Sequence, residues 1–349
     1  MKKTLTNLLF ILFTTSASQL VAQEGQFSQY FASTSILNPA FTGTNPNMTF
    51  NTNFKRSGNQ ASESYLELMQ ATFTYPINRT TSKDFQIGGA GVTFFRERRG
   101  FEGLYNAQKV LLNAAYSIKL AKLTNQSVVF GLQGGLVQAQ LDDSSLQWGS
   151  QFNKFFGYDN TGPSESISSD PVTYPTFNFG VIFTSYDNDN YYIRDKSILL
   201  GVSVDNLNKP TVTQDGFGVG EVNRVFKAFG SAKFELAPRI YLHPSGYALY
   251  SDGNKQINTG LYMSTLVSSP QAKTALLLQV GTWYRLQDSI IVLAGFEIND
   301  LRIGGSMDLN ATSFDINREL GNSLPSYEIS LTYNFNLAKP LSNVSSPIF

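Results

Sequence analysis

The chain has no cysteine. That excludes disulfides, thiolate metal sites, a cysteine nucleophile and a lipid-modified N-terminal cysteine. It has a single histidine, His243. A His-based triad or a two-His metal site would have to rest on that one ring. Beside Pro244 in a strand pattern, it reads as a wall or rim residue. Charge is also scarce: 15% of residues are charged, against about 25% in ordinary soluble domains. The 26 basic residues balance the 26 acidic ones, so no nucleic-acid footprint is present. After the first 22 residues no run approaches the roughly 20 apolar residues of a spanning helix.

Other chemistry is missing as well. Gly88-Gly89-Ala90-Gly91 lies inside a strand pattern, where glycine marks close packing or a bend rather than a phosphate loop. Asp187-Asn188-Asp189-Asn190 offers oxygen ligands at alternate spacing, but without the glycine and distal glutamate of a calcium loop it reads as a solvated turn. Arg96-Glu97-Arg98-Arg99-Gly100 reads the same way. No enzyme activity, metal or cofactor is expected.

What is present is alternation. Apolar residues make up 42% of the chain and aromatics 13%, with 27 Phe, 17 Tyr and 28 Gly. In Ser326–Leu337 the residues Tyr327, Ile329, Leu331, Tyr333, Phe335 and Leu337 share one parity, and Ser326, Glu328, Ser330, Thr332, Asn334 and Asn336 the other. Successive strand side chains point to opposite faces, so one face is greasy and the other polar. Met48–Arg56, Ala107–Leu120, Ser127–Gln140, Pro175–Ser185 and Ser197–Asp205 repeat the grammar. About fourteen strands are expected. Short links such as Gln287-Asp288 and Asn299-Asp300 alternate with long polar ones such as Leu141–Val172 and Asn206–Asn223. A polar parity of Gly, Ser, Thr, Asn and Gln suits a wet or filled lumen better than a soluble outer face. The fold class is therefore all-β: a transmembrane antiparallel up-and-down β-barrel over residues 48–337. Its last strand should close on Met48–Arg56, with Glu328 pointing inward.

The ends carry their own signals. Lys2 and Lys3, the apolar run Leu5–Phe13 and the small residues up to Ala22 read as a signal peptide, residues 1–22, for Sec-dependent export. Residues 23–47 lack a period but hold Phe27, Tyr30, Phe31, Ile36, Leu37 and Phe41. They are expected to pack in or under the barrel at its periplasmic mouth. Residues 338–349 are expected to form a periplasmic C-terminal tail beyond the last strand.

Three stretches carry a family resemblance. The first is Gln26-Phe27-Ser28-Gln29-Tyr30 followed by Leu37-Asn38-Pro39-Ala40 and Thr42-Gly43. The second is Gly201–Pro210, with Asn206, Leu207, Asn208 and Pro210. The third is Leu301–Asn310, with Arg302, Gly304 and Asp308, followed by Tyr327-Glu328-Ile329-Ser330-Leu331. Together they resemble the PorP/SprF family of type IX secretion system membrane proteins. Asn206 and Tyr327 stand where the family has histidines, and Gly304-Gly305-Ser306-Met307-Asp308 replaces a more aromatic segment, as in a divergent SprF-like paralogue. The resemblance implies an integral outer-membrane barrel in contact with lipid, serving type IX secretion or gliding motility. It also implies that the barrel anchors or helps secrete a surface protein, such as an adhesin with a type B C-terminal signal domain, with periplasmic secretion components as further partners. The residue pattern by itself leaves a passive porin or small-molecule channel open as the alternative.

Overall fold

A computed structural model gives the fold. It describes residues 25–58, 64–78, 86–120, 126–142, 149–158, 170–186, 196–214, 218–268, 274–310 and 326–335. The expected signal peptide, the tail and the Asp187–Asn190 turn lie outside the described residues.

Fourteen antiparallel strands close into one barrel. In chain order they are β1 (Met48–Gly58), β2 (Ser64–Asn78), β3 (Gln86–Phe101), β4 (Tyr105–Lys119), β5 (Gln126–Leu141), β6 (Val172–Tyr186) and β7 (Lys196–Asp205). The second half holds β8 (Val225–Ala237), β9 (Ile240–Ser251), β10 (Asn254–Leu266), β11 (Leu276–Arg285), β12 (Ser289–Ile298), β13 (Leu301–Asn310) and β14 (Ser326–Phe335). Each pairs with the next. β14 closes on β1, with Met48 opposite Phe335 and Arg56 opposite Tyr327. Closure leaves the barrel no free edge.

The faces follow the alternation. Leu112, Tyr116, Phe177, Leu200, Val202, Tyr327 and Ile329 are exposed on the outer face, while Asn51, Asn53, Lys55, Asn113, Asn178, Glu328 and Ser330 are buried inside. Lipid meets the first set. Leu331→Arg puts a charge in the middle of the outward row of β14, which runs Tyr327, Ile329, Leu331, Tyr333, Phe335. It is expected to cost about 2–4 kcal/mol, read from urea unfolding in vesicles; an unchanged midpoint would sink this assignment of faces.

Two local expectations are corrected. Pro244 in the candidate strand Arg239–Tyr250 predicts a break there, but the structure shows none: β9 runs through it, with Pro244 opposite Leu261. Proline's fixed φ suits an extended chain, and strands on both sides hold the register. Arg96–Gly100 belongs to β3, and the turn follows at Glu102 and Gly103, both with positive φ (48° and 80°). Glu97 is thereby buried inside the barrel.

The links fix the orientation. The strand ends that flank the long ones, 142–171, 206–224 and 311–325, all lie at the end of the barrel opposite the start of β1 and the end of β14. In outer-membrane barrels the long loops face outward and the tight turns face the periplasm. Alternation is not strict, because the outer end also carries tight turns such as Asp252-Gly253. There both residues have positive φ (45° and 83°), as a two-residue hairpin with the twist of its strands requires. Two of the long links hold small hairpins, one pairing Phe152–Asn153 with Gly157–Tyr158 and one pairing Thr211–Gln214 with Gly218–Glu221.

Candidate functional site

The lumen is filled by the chain's own N-terminal segment. Residues 25–47 start in its outer half, where Gly25 lies against Leu66, Leu68 and Glu97. They end at the periplasmic mouth, where Asn45 donates to Asn334 Oδ1 (3.2 Å) and Thr49 Oγ1 (2.8 Å). The segment therefore runs through the lumen from the level of Leu66 and Leu68 to the end where β1 starts and β14 stops. Its only regular parts are a one-turn helix, Thr34–Leu37, and a 3₁₀ turn, Pro39–Gly43, which is why its sequence shows no period.

Three sets of contacts hold it. The first is polar. Ser28 N donates to Glu328 Oε2 (2.6 Å) and Ser28 Oγ to Asp308 Oδ2 (2.7 Å). Lys55 Nζ and Arg285 Nη2 donate to the same hydroxyl at 2.6 and 3.1 Å. Lys55 and Arg285 each lie 3.2 Å from Asp308. Gln29 N donates to Glu328 Oε1 (3.2 Å), Gln29 Nε2 to Ser306 Oγ (3.2 Å), and Gln29 Oε1 accepts from Ser330 Oγ (2.7 Å). A side chain at Gly304 would meet Gln29 Oε1 at 2.6 Å. Glu328 points inward as expected, but it is covered by the segment and 1% exposed, not wet.

The second set is aromatic. Phe31 stacks on Trp283 and Tyr262 (5.3 and 5.9 Å between centroids), Tyr30 on Tyr247 (5.3 Å) and Phe41 on Phe229 (5.2 Å). Phe27 meets Phe95 edge-on at 6.2 Å. Tyr30 and Trp283 both donate to Ser245 Oγ, at 2.8 and 3.0 Å. Offset and edge-on pairs of this kind add about 0.5–1.5 kcal/mol each beyond burial. His243 is an inward wall residue, stacked 4.1 Å from Tyr262, with Nε2 2.9 Å from Ser264 Oγ.

The third set is a shelf of small residues. Gly89, Ala115, Gly131, Gly180 and Ser203 are register neighbours across β3 to β7. A side chain at Gly131 would run into the backbone of Pro39 and Ala40, one at Gly180 into the Asn38 amide, and one at Gly89 into the Thr42 carbonyl. Gly43 lies equally close to Ala115 and Val129. Asn38 caps the 3₁₀ turn by accepting from Ala40 N (2.9 Å) and donates to Val202 O (2.9 Å), while Ser203 Oγ donates to Leu37 O (2.8 Å).

The motif residues thus fall into separate places. Ser28, Gln29, Gly304, Asp308 and Glu328 come together, although the chain separates Ser28 from Glu328 by 300 residues, while Phe27 packs apart from them on Leu68 and Phe95. Asn38, Pro39 and Gly43 lie on the shelf, and Tyr30 joins the aromatic set. Asn206, Leu207, Asn208 and Pro210 sit at the outer end of β7. Asn206, at φ 55°, accepts from Thr176 Oγ1 (2.8 Å) and donates to Asn223 O (3.1 Å). Asn208 braces the start of β6 through Pro175 O (2.8 Å) and Phe177 N (3.2 Å). Arg302 is apart from both, donating twice to Glu297 Oε2 (2.9 and 2.6 Å). Of the two positions where the family has histidines, Tyr327 faces outward and Asn206 lines an outer cavity.

Sequence reasoning missed the inward aromatics and the shelf. A signal existed for the first: Ile290-Ile291-Val292-Leu293-Ala294 is apolar on both parities, as strands buried on both faces are. Above Gln26, on the outer side, the lumen keeps a cavity of about 270 Å³ lined by Tyr105, Tyr174, Asn206, Asn223, Asn254 and Gln256 among others.

Solved structures share the architecture. The Ralstonia pickettii toluene transporter TbuX matches with a TM-score of 0.50 and 10% identity, over 87% of this chain and 94% of that one. The Pseudomonas putida toluene transporter TodX matches with a TM-score of 0.47 and 11% identity, over 92% and 100%. At such identity the likeness to TbuX shows the barrel fold alone. No curated protein matches. The family described as type IX secretion system membrane protein PorP/SprF matches residues 20–333, and this chain, an outer-membrane barrel, belongs to it.

Proposed function

We propose that this barrel is a non-catalytic outer-membrane anchor for a secreted surface protein. The partner class implied by the family is an adhesin-like protein with a type B C-terminal signal domain. The observation that carries the reading is the filled lumen. Ser28, Gln29, Asn38 and four aromatic rings tie the N-terminal segment to strands all around the wall, so the barrel serves as a pedestal rather than a conduit. The outer end supplies the surface. Within the longest loop, Phe152, Phe155, Phe156 and Tyr158 are all exposed, Phe155 and Phe156 at 84% and 88%. Single exposed apolar residues are ordinary, but grouped aromatics on a loop mark a contact site. Export through a cleaved signal peptide and contact with periplasmic secretion components belong to the same reading.

The test is affinity purification of the tagged barrel from solubilised outer membrane, with mass spectrometry of what comes with it. A large secreted surface protein should be recovered. Deleting residues 149–158 should cut that recovery at least tenfold while the barrel stays in the membrane. Recovery of no surface protein from either form would contradict the anchor.

A further inference from the structure

We propose that the outer cavity is a carbohydrate-binding site for the exposed end of a glycan. The cavity has room for a small ligand, about 270 Å³, and its floor includes Gln26 of the filling segment. A ligand entering from outside therefore reaches an end, as the terminus of a glycan would.

The lining chemistry selects the class. Asn206, Asn223, Asn254 and Gln256 offer amides that both donate and accept, which matches neighbouring hydroxyls. Tyr105 and Tyr174 add aromatic faces with a polar tip. The framework is held in place before any ligand arrives. Asn206 N donates to Asn178 Oδ1 (3.0 Å) and Asn206 Nδ2 to Asn223 O (3.1 Å), while Asn223 Nδ2 donates to Asp252 Oδ2 (2.9 Å). The Arg99 guanidinium lies 4.4 Å from the centre of the Tyr105 ring and 3.5 Å from Glu97. Glu97 is the one acidic residue of the lining, against Arg99, Lys109 and Lys255, so the cavity is net cationic, which suits an acidic sugar such as a uronic acid. Peptide recognition would need a free strand edge or an apolar socket. The closed barrel has no free edge, and the apolar lining is limited to Val222, Val225 and Leu249.

The test uses the full chain in detergent micelles on a printed panel of neutral and uronic-acid oligosaccharides. Core oligosaccharide released from lipopolysaccharide forms a separate arm, and a Gly-Ser-Asn-Gly peptide stands for the other class. At least one oligosaccharide should bind, and Tyr174→Ala and Asn254→Ala should each weaken it at least tenfold with the barrel's heat-modifiable mobility unchanged. Binding in the core arm would assign the sugar to the lipid surface; binding only elsewhere would assign it to a glycan of other origin. Absence of binding across the panel, equal binding by both variants, or displacement by the peptide would overturn the site. The site is independent of the anchor: Tyr174→Ala should leave partner recovery intact.

Discussion

Asp308→Ala should lower the stability of the barrel by about 3–5 kcal/mol, the range for stranding a buried charge. Asp308 is 4% exposed and lies 3.2 Å from both Lys55 and Arg285. Removing it leaves two cations facing each other around the Ser28 hydroxyl. Arg285 keeps Asp288 at 2.8 Å, but no other carboxylate forms an ion pair with Lys55 among the described residues. The loss also reaches the filling segment, since Ser28 Oγ donates its hydrogen bond to Asp308 Oδ2. Asp308→Asn keeps an acceptor without the charge and should fall between the two. Urea midpoints of the heat-modifiable species measure the effect; an unchanged midpoint for the alanine variant would remove the ionic cluster from the account.

Gly131→Ala should unseat the filling segment while leaving the wall intact. The added carbon would overlap the backbone of Pro39 and Ala40, which, unlike a flexible side chain, cannot swing away. Overpacking of this kind costs about 1–3 kcal/mol where the surroundings can relax. Here both sides are constrained, the 3₁₀ turn by its Asn38 cap and β5 by β4 and β6. The expected readout is protease cleavage between residues 25 and 44 in the variant, with the strands protected as before. Gly305→Ala is the control, because its added carbon would meet nothing nearer than Ala294 O at 3.9 Å. Equal protection of both variants would mean that the shelf tolerates a methyl group and does not seat the segment.

Much of the barrel was legible because strand periodicity is a local property. Val110, Leu112, Tyr116 and Ile118 face lipid as their parity requires, and the SYEISLTYNF row needs only its own residues to declare two faces. The strand count and the closure of β14 on β1 follow from that pattern repeated. The filled lumen was only partly legible. Residues 25–47 have no period, since they are held by contacts to strands hundreds of residues away. The motif placed Ser28 and Glu328 in one family signature, but nothing local says that a backbone N–H and a carboxylate so far apart in the chain will meet. Gly131 and Gly180 read only as small residues on a polar parity. Their meaning lies in cross-strand register, which one strand cannot display. The apolar run at Ile290–Ala294 was the remaining hint that part of the lumen is dry.

A barrel closed by its own N-terminal segment should act as a support rather than a passage, and single-channel recording in planar bilayers tests this. The intact chain should show no discrete conductance steps, and a form lacking residues 25–43 should show them under the same conditions. Steady steps of similar size from the intact chain would mean that the segment does not close the lumen.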